Sequence, residues 1–380
     1  MPSNDNQVPS SSFASFGRSL FGRREQVHSV EANHESIPLN LEFKSFQDTV
    51  TDKFHGLSEV SDDELLSMEW MGKLLDAFIS CHEEFRAILL NHKEDLSKPP
   101  MDQWTKEFFE RLVKALDICN ASRDGIEKIR SWQKLLEIVV CALGSQQRAL
   151  GEGQFRRARK ALMDLALAMI DEKESGSAFS HRNRSFGRHN SSKDPRSAGH
   201  NRSRSWSVSR TWSASKQLQA IANNLVPPRG NEITATDGLA LPVFTMSFVL
   251  LFVLWAIVAA IPCQDRGLNI SFSVLRQYSW GIPLISLHER IIEESKKRER
   301  RNSNGLMKEI YQLEKCSRHL TDLVDSVQFP LKEEQKMDVE NILKELAVVC
   351  KAFQEGLDPL ERQVREVFRK IVTCRADGLE

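Results

Sequence analysis

Residues 243–261 read VFTMSFVLLFVLWAIVAAI, nineteen residues without a charge inside an uncharged run from Gly238 to Gln264. At 1.5 Å rise per residue the stretch reaches roughly 28 Å as a helix, close to the hydrocarbon thickness of a bilayer. Twelve of the nineteen are Val, Leu, Ile or Phe, which favours membrane insertion by roughly 4 to 7 kcal/mol before polar costs. Burial in protein is also favourable, at about 1.5 to 3 kcal/mol for each large apolar side chain taken from water. Energy alone leaves a membrane span and a core helix both open. Geometry adds one constraint: a helix apolar on every face must be surrounded, by lipid or by other helices.

The rest of the chain supplies such helices. Phe43, Phe46, Val50 and Phe54 step by three and four after Pro38, the helical period. Ser61-Asp62-Asp63-Glu64 has the form of a capping box opening a long helix with Leu65, Met68, Leu75, Phe78, His82, Phe85 and Leu89 on one face. Pro99-Pro100 is expected to stop it. A third helix is expected from Asp102 to Cys119, a separate successor carrying Ile126 to Leu143, and a fifth from Phe155 to Ile170. A short helix over Lys216–Leu225 precedes the apolar stretch. After it, helices are expected over Pro283–Arg301, Gly305–Val327, Leu331–Phe353 and Pro359–Cys374, the last opened by Asp358 as N-cap with Pro359 at the first helical position. No segment alternates with period two. The fold class is all-α: an elongated multi-helix bundle with a long apolar central helix.

Composition divides the chain further. Residues 1–36 are polar and loop-like, an expected disordered arm, broken by SSFASFGRSLFGRR. Residues 37–173 are the N-terminal helical half and 216–380 the C-terminal half, which contains the apolar helix 243–261. Between them, residues 174–215 are rich in Ser and Arg; from Ser175 to Ser215 the charged residues are Arg182, Arg184, Arg188, Lys193, Arg196, Arg202, Arg204 and Arg210 against Asp194 alone. So few apolar residues do not offset the entropy of ordering a backbone, and a disordered basic linker is expected.

Over the whole chain 52 Lys and Arg balance 52 Asp and Glu, so no net field steers the protein toward nucleic acid. Aromatic platforms do not interleave with the bases as single-strand binding requires. Seven cysteines, an odd number without a CxxC pair, fit a reducing compartment, and the N-terminus lacks the layout of a secretory signal. HEEFR at residue 82 is not a zinc-binding HExxH, GEGQFR at 151 lacks the third glycine of a dinucleotide loop, and no phosphate-binding P-loop occurs. No catalytic, cofactor-binding or metal-ligating residues are therefore assigned, and no small-molecule substrate is expected.

FASFGRSLFGRR, IPLNLEFKSFQDTVTDKFHGL, RSRSWSVSRTWSASKQLQAIANNLVPPRG and VFTMSFVLLFVLWAIVAAIPCQDRG together resemble the plant BYPASS-related family, most closely its Roh-type branch. The resemblance covers nearly the whole chain, and the block from the linker to PCQDR is its most specific part. It implies a non-enzymatic protein that binds the seventy-kilodalton subunit of the exocyst, and a role in polarised secretion, including seed-coat mucilage deposition. The BYPASS side of the family implies the alternative of a single-pass membrane regulator of root-to-shoot growth signalling. Location follows the same fork: cytosol with membrane association, or a span at 243–261.

Three sets of residues are candidate interaction sites, each with a structural reading beside it. Phe13, Phe16, Leu20 and Phe21 recur at helical spacing around Arg18; they form a docking motif or cover a groove of the bundle in cis. In the linker, Trp206 and Trp212 anchor a partner or fold back, and Ser185, Ser205 and Ser207 each follow an arginine by three residues, the pattern of basophilic phosphorylation. The run Lys296, Lys297, Arg298, Arg300, Arg301 ends a helix, where cations complement the dipole, or contacts anionic lipid at about 1 kcal/mol per base.

Overall fold

The computed structural model describes residues 40–144, 150–174, 213–263 and 267–378. The three-and-four spacing is realised there as helix, with no strand among the described residues. In chain order the helices are α1 (Leu41–Ser58), α2 (Met68–Asn91), α3 (Met101–Leu143), α4 (Glu152–Glu174), α5 (Ala214–Ala222), α6 (Gly230–Ala235), α7 (Ala240–Ala260), α8 (Gly281–Lys296), α9 (Lys308–Ser326) and α10 (Glu333–Asp377). The described residues belong to one compact unit.

The apolar stretch is α7, and every one of its residues is buried. Helices α1, α2, α3, α5, α6 and α8 pack around it, so the enclosure that an all-apolar helix demands is met by protein. Aromatic rings fill much of the contact. Phe252 meets Phe54 of α1 edge-on at 5.8 Å, and the Trp255 ring lies tilted against His288 of α8 with centroids 4.7 Å apart. The indole nitrogen of Trp255 donates to the Gly267 carbonyl at 3.2 Å, which satisfies its only polar atom.

Both ends of α7 are closed by hydrogen bonds that need no water. At the start, the Ala240 amide donates to the Thr236 hydroxyl at 3.3 Å, and Pro242 in the first turn has no amide to orphan. At the end, the amides of Leu306 and Met307 donate to the carbonyls of Ala259 and Ala260, both at 2.9 Å. Gly305 makes this approach possible, since a Cβ there would lie 2.3 Å from the Ala260 carbonyl oxygen. Four C-terminal carbonyls of any helix lack intrahelical partners, and here a loop about 45 residues downstream in the chain supplies two.

The outer helices lock to one another through polar contacts. Arg290 of α8 donates to the carbonyls of Ser58 and Val60 and to Asp62, at 2.8, 2.8 and 2.7 Å, and so clamps the α1–α2 connection. Arg130 of α3 reaches Asp358 and Glu361 of α10 at 2.7 and 3.0 Å. Glu309 of α9 accepts the first amide of α2, that of Met68, at 3.1 Å.

Several expectations are corrected. The Ser61–Glu64 box does not open α2: residues 61–67 form turns in which Leu66 takes a left-handed φ of 64°. That turn buries the adjacent Leu65 and Leu66, and Ser67 caps α2 through the Trp70 amide at 3.1 Å. The third helix and its successor are one helix, α3. Ile118, Ser122, Gly125, Ile129 and Trp132 keep the apolar phase through the expected break, and Gly125 lets α3 approach the Pro262 carbonyl. Likewise the last two expected helices are one, α10, with Pro359 inside it. An interior proline costs roughly 3 kcal/mol, but Phe353, Leu357, Leu360, Val364 and Val367 run through it as one buried stripe, so packing outweighs propensity. Asp358 is no N-cap; it pairs with Arg130. At the linker's end, α5 begins inside the expected boundary, with Ser213 as its cap and Ala214 and Ser215 buried.

His82, placed by its spacing on the apolar face of α2, lies within the core: it is fully buried and neither ring nitrogen has a hydrogen-bond partner. Burial pushes its pKa down from 6.5 to about 4. A group depressed on folding contributes full stability above its unfolded pKa and loses it as pH falls. Between pH 7.5 and 5, denaturant titrations should therefore show about 2 kcal/mol of lost stability from this residue, absent in His82→Leu. Trp255→Ala should cost roughly 3 to 5 kcal/mol in the same assay, as a large side chain removed from a closed core.

Candidate interaction surfaces

The basic run after α8 divides into two kinds of residue. The helix ends at Lys296, Lys297 turns the chain, and residues Arg298–Arg300 make one 3-10 turn. Lys296, Lys297, Arg298 and Arg301 are exposed, with Lys297 paired to Glu294. Arg300 is a correction to the lipid-contact set. Only 4% of it is exposed, its Nε donates to Glu294 at 3.0 Å, and its guanidinium lies 4.3 Å from the centre of the Tyr311 ring. A membrane surface cannot reach a guanidinium held in that way.

The burial of Arg300 has a structural cause. The chain must turn sharply after it to bring Gly305, Leu306 and Met307 to the end of α7. Arg300 donates toward the Met307 carbonyl at 3.5 Å, Ser303 donates to the Gly305 carbonyl at 2.7 Å, and Asn304 donates to Glu314 through its amide and side chain at 2.8 and 2.9 Å. The Tyr311 hydroxyl donates to Glu299, which with burial raises the phenol's pKa. The basic run is thus partly the scaffold of the α7 cap.

Two clefts among the described residues bear on binding. One, of about 570 Å³, lies over the Arg300 turn and is lined by both signs of charge, including Asp62, Lys297, Lys308, Lys315 and Glu345. Its one thiol, Cys316, donates to Glu345 at 3.4 Å; burial pushes the thiol up to about 11, so it is no nucleophile at neutral pH. The other, of about 630 Å³, runs between α2, α3 and the end of α10. Leu89, Leu96 and Phe109 form its floor, Leu90 and Val113 stand exposed on its walls, and Arg86, Lys93, Asp102, Lys106, Glu110 and Asp377 rim it. Arg86 and Asp377 join at 2.5 Å across it. An apolar floor with a charged rim is the layout into which an amphipathic helix docks.

Sequence reading could not assemble this second cleft, because its walls come from three helices and meet only in the fold. Val113, read from its helical spacing as inward-facing with Phe108 and Leu112, instead stands 41% exposed on its wall. Phe13, Phe16, Arg18, Leu20, Phe21, Ser185, Ser205, Trp206, Ser207 and Trp212 lie outside the described residues. Among the described residues no cluster of His, Cys, Asp and Glu could hold a metal ion, and no two cysteines are joined in a disulfide.

Residues 8–380 match the family described as Protein ROH1-like. The chain is 57% identical over 380 residues to Protein ROH1D of Arabidopsis thaliana, with 96% of each covered. It is 38% identical over 415 residues to Protein ROH1A of Arabidopsis thaliana, covering 100% of this chain and 96% of that protein. A more distant similarity, 22% over 314 residues, links 81% of the chain to 59% of UPF0496 protein 4 of Oryza sativa subsp. japonica. No solved structure matches the chain.

Substitution separates the two kinds of base in the run. Arg300→Ala leaves Glu294 half-paired beside the α7 cap and should lower the unfolding free energy by roughly 3 kcal/mol. Arg298→Ala and Arg301→Ala should stay within about 0.5 kcal/mol of the parent in the same urea titration.

Proposed function

The chain belongs to the ROH1-like family of plant proteins, and from that premise we propose that it is a non-enzymatic interaction protein acting at the cytosolic face of membranes. Its partner is the seventy-kilodalton subunit of the exocyst, and its process is polarised secretion, including seed-coat mucilage deposition. The observation that carries this reading is the family match across residues 8–380, which takes in the arm, the Ser/Arg-rich segment and the apolar helix together.

The geometry agrees with such a role. The enclosure of α7 by six helices suits a protein handled as a cytosolic fold, and the rimmed cleft between α2, α3 and α10 suits a helical segment of a partner. Membrane association rests on Lys296, Arg298 and Arg301, exposed on one turn, each contributing about 1 kcal/mol near an anionic surface. Phosphorylation at Ser185, Ser205 or Ser207 would add about −1.5 to −2 charges each to a strongly basic segment and shift that balance.

Binding of the folded full chain to the purified exocyst subunit, followed by biolayer interferometry, is the direct test. Saturable binding is expected; no binding by protein with an intact thermal transition would overturn the proposal. Carbonate extraction of the expressed protein should leave it in the supernatant, whereas retention in the pellet would place α7 in a bilayer.

A further inference from the structure

The loop that caps α7 carries a sequence signal of its own. Arg300-Arg301-Asn302-Ser303 is the chain's only Arg-Arg-x-Ser, and basophilic Ser/Thr kinases read arginines placed three and two residues before the acceptor. Lys296, Lys297 and Arg298 extend the basic approach to it. Arg301 and Asn302 stand exposed on the turn between α8 and α9, whereas Ser303 is only 2% exposed.

The Ser303 hydroxyl has a structural task. It donates to the Gly305 carbonyl at 2.7 Å, and the Ser303 amide donates to the Arg300 carbonyl at 3.2 Å. These bonds fold the loop so that the amides of Leu306 and Met307 reach the Ala259 and Ala260 carbonyls. Arg300, three residues before the acceptor, is held inside by Glu294 and Tyr311. Asn304, just after it, is held by Glu314. The closed loop therefore withholds both the acceptor and its recognition arginine from a kinase. Local opening costs less than global unfolding, and it presents the two together.

We propose that Ser303 is a gated phosphorylation site whose modification releases the cap of α7. The γ-phosphoryl group of ATP passes to Ser303 Oγ: the Oγ–P bond forms, the bond from the γ-phosphorus to its bridging oxygen breaks, ADP leaves, and the hydroxyl proton goes to the kinase's base. An ester oxygen carries no hydrogen, so the bond to the Gly305 carbonyl is lost outright. The phosphate, at about −1.5 to −2 charges, would have to re-enter a buried position next to Asn304, whose amide and side chain hold the Glu314 carboxylate. Desolvation and like charge both oppose that return. The loop stays open, and Leu306 and Met307 no longer serve the end of α7. Arg301, already in solvent, is placed to pair with the phosphate outside. This device is independent of which partner the folded chain binds.

Incubation of the full chain with ATP and the catalytic subunit of cyclic-AMP-dependent protein kinase tests this, with tandem mass spectrometry separating Ser303 from Ser185, Ser205 and Ser207. Ser303 should be modified about tenfold or more slowly than in an unstructured peptide of residues 296–309, because only the open fraction reacts. Glu314→Ala loosens the loop from outside the motif and should raise the Ser303 rate severalfold while the Ser185 rate stays unchanged. In the phosphorylated chain, hydrogen exchange at the Leu306 and Met307 amides should quicken about tenfold or more, with α2 and α10 as protected as before. No phosphate on Ser303 of the full chain overturns the proposal. So does a Ser303 rate that Glu314→Ala leaves unchanged, or a phosphorylated chain whose Leu306 and Met307 amides keep their protection.

Discussion

A helix without a polar side has two separate needs: its flanks must be shielded, and its terminal carbonyls must find donors where no water enters. α7 satisfies the first through six neighbours and the second through Leu306 and Met307. Much of the remaining architecture follows from those two needs. The glycine at 305, the buried Arg300 with its Glu294 and Tyr311 contacts, and the Ser303 and Asn304 hydrogen bonds all shape one loop that closes α7. Arg290 then joins α8 to the carbonyls that end α1, so the shell is tied from its own termini.

This dependence explains why a run of bases reads ambiguously in sequence. Six consecutive positions with five cations resemble a lipid-binding patch, and four of those cations do face solvent. The fifth is an interior strut. A guanidinium can serve so because its planar donors match a carboxylate while its face rests on an aromatic ring, which an ammonium does less well. Nothing local in Lys296–Arg301 distinguishes Arg300; the distinction comes from where residues 303–307 must go.

The all-α class and most inward faces were legible because burial imposes the period directly. The Phe43, Phe46, Val50, Phe54 face of α1 and the Met68 to Leu89 face of α2 stand in the structure as the spacing predicts. Helix ends were less legible. Asn120 to Gly125 and Asp358-Pro359 have the local chemistry of breaks, yet α3 and α10 run through both because the apolar phase is unbroken there. Phase continuity was the better guide than punctuation. The clefts were not legible at all, since residues as distant as Leu89 and Cys374 meet only after three helices pack.

The closing loop of α7 also has a temporal side. Ribosomes deliver residues in order at about 5 to 20 per second. The greasy segment therefore leaves the exit tunnel about 2 to 9 seconds before Leu306 and Met307 leave it, and α8, which covers part of it, also follows it in the chain. During that interval its C-terminal carbonyls and one flank are bare. Cotranslational chaperones and the targeting machinery that recognises nascent apolar helices compete for the same segment. The closing loop thus reaches the segment only after an interval in which capture competes with folding.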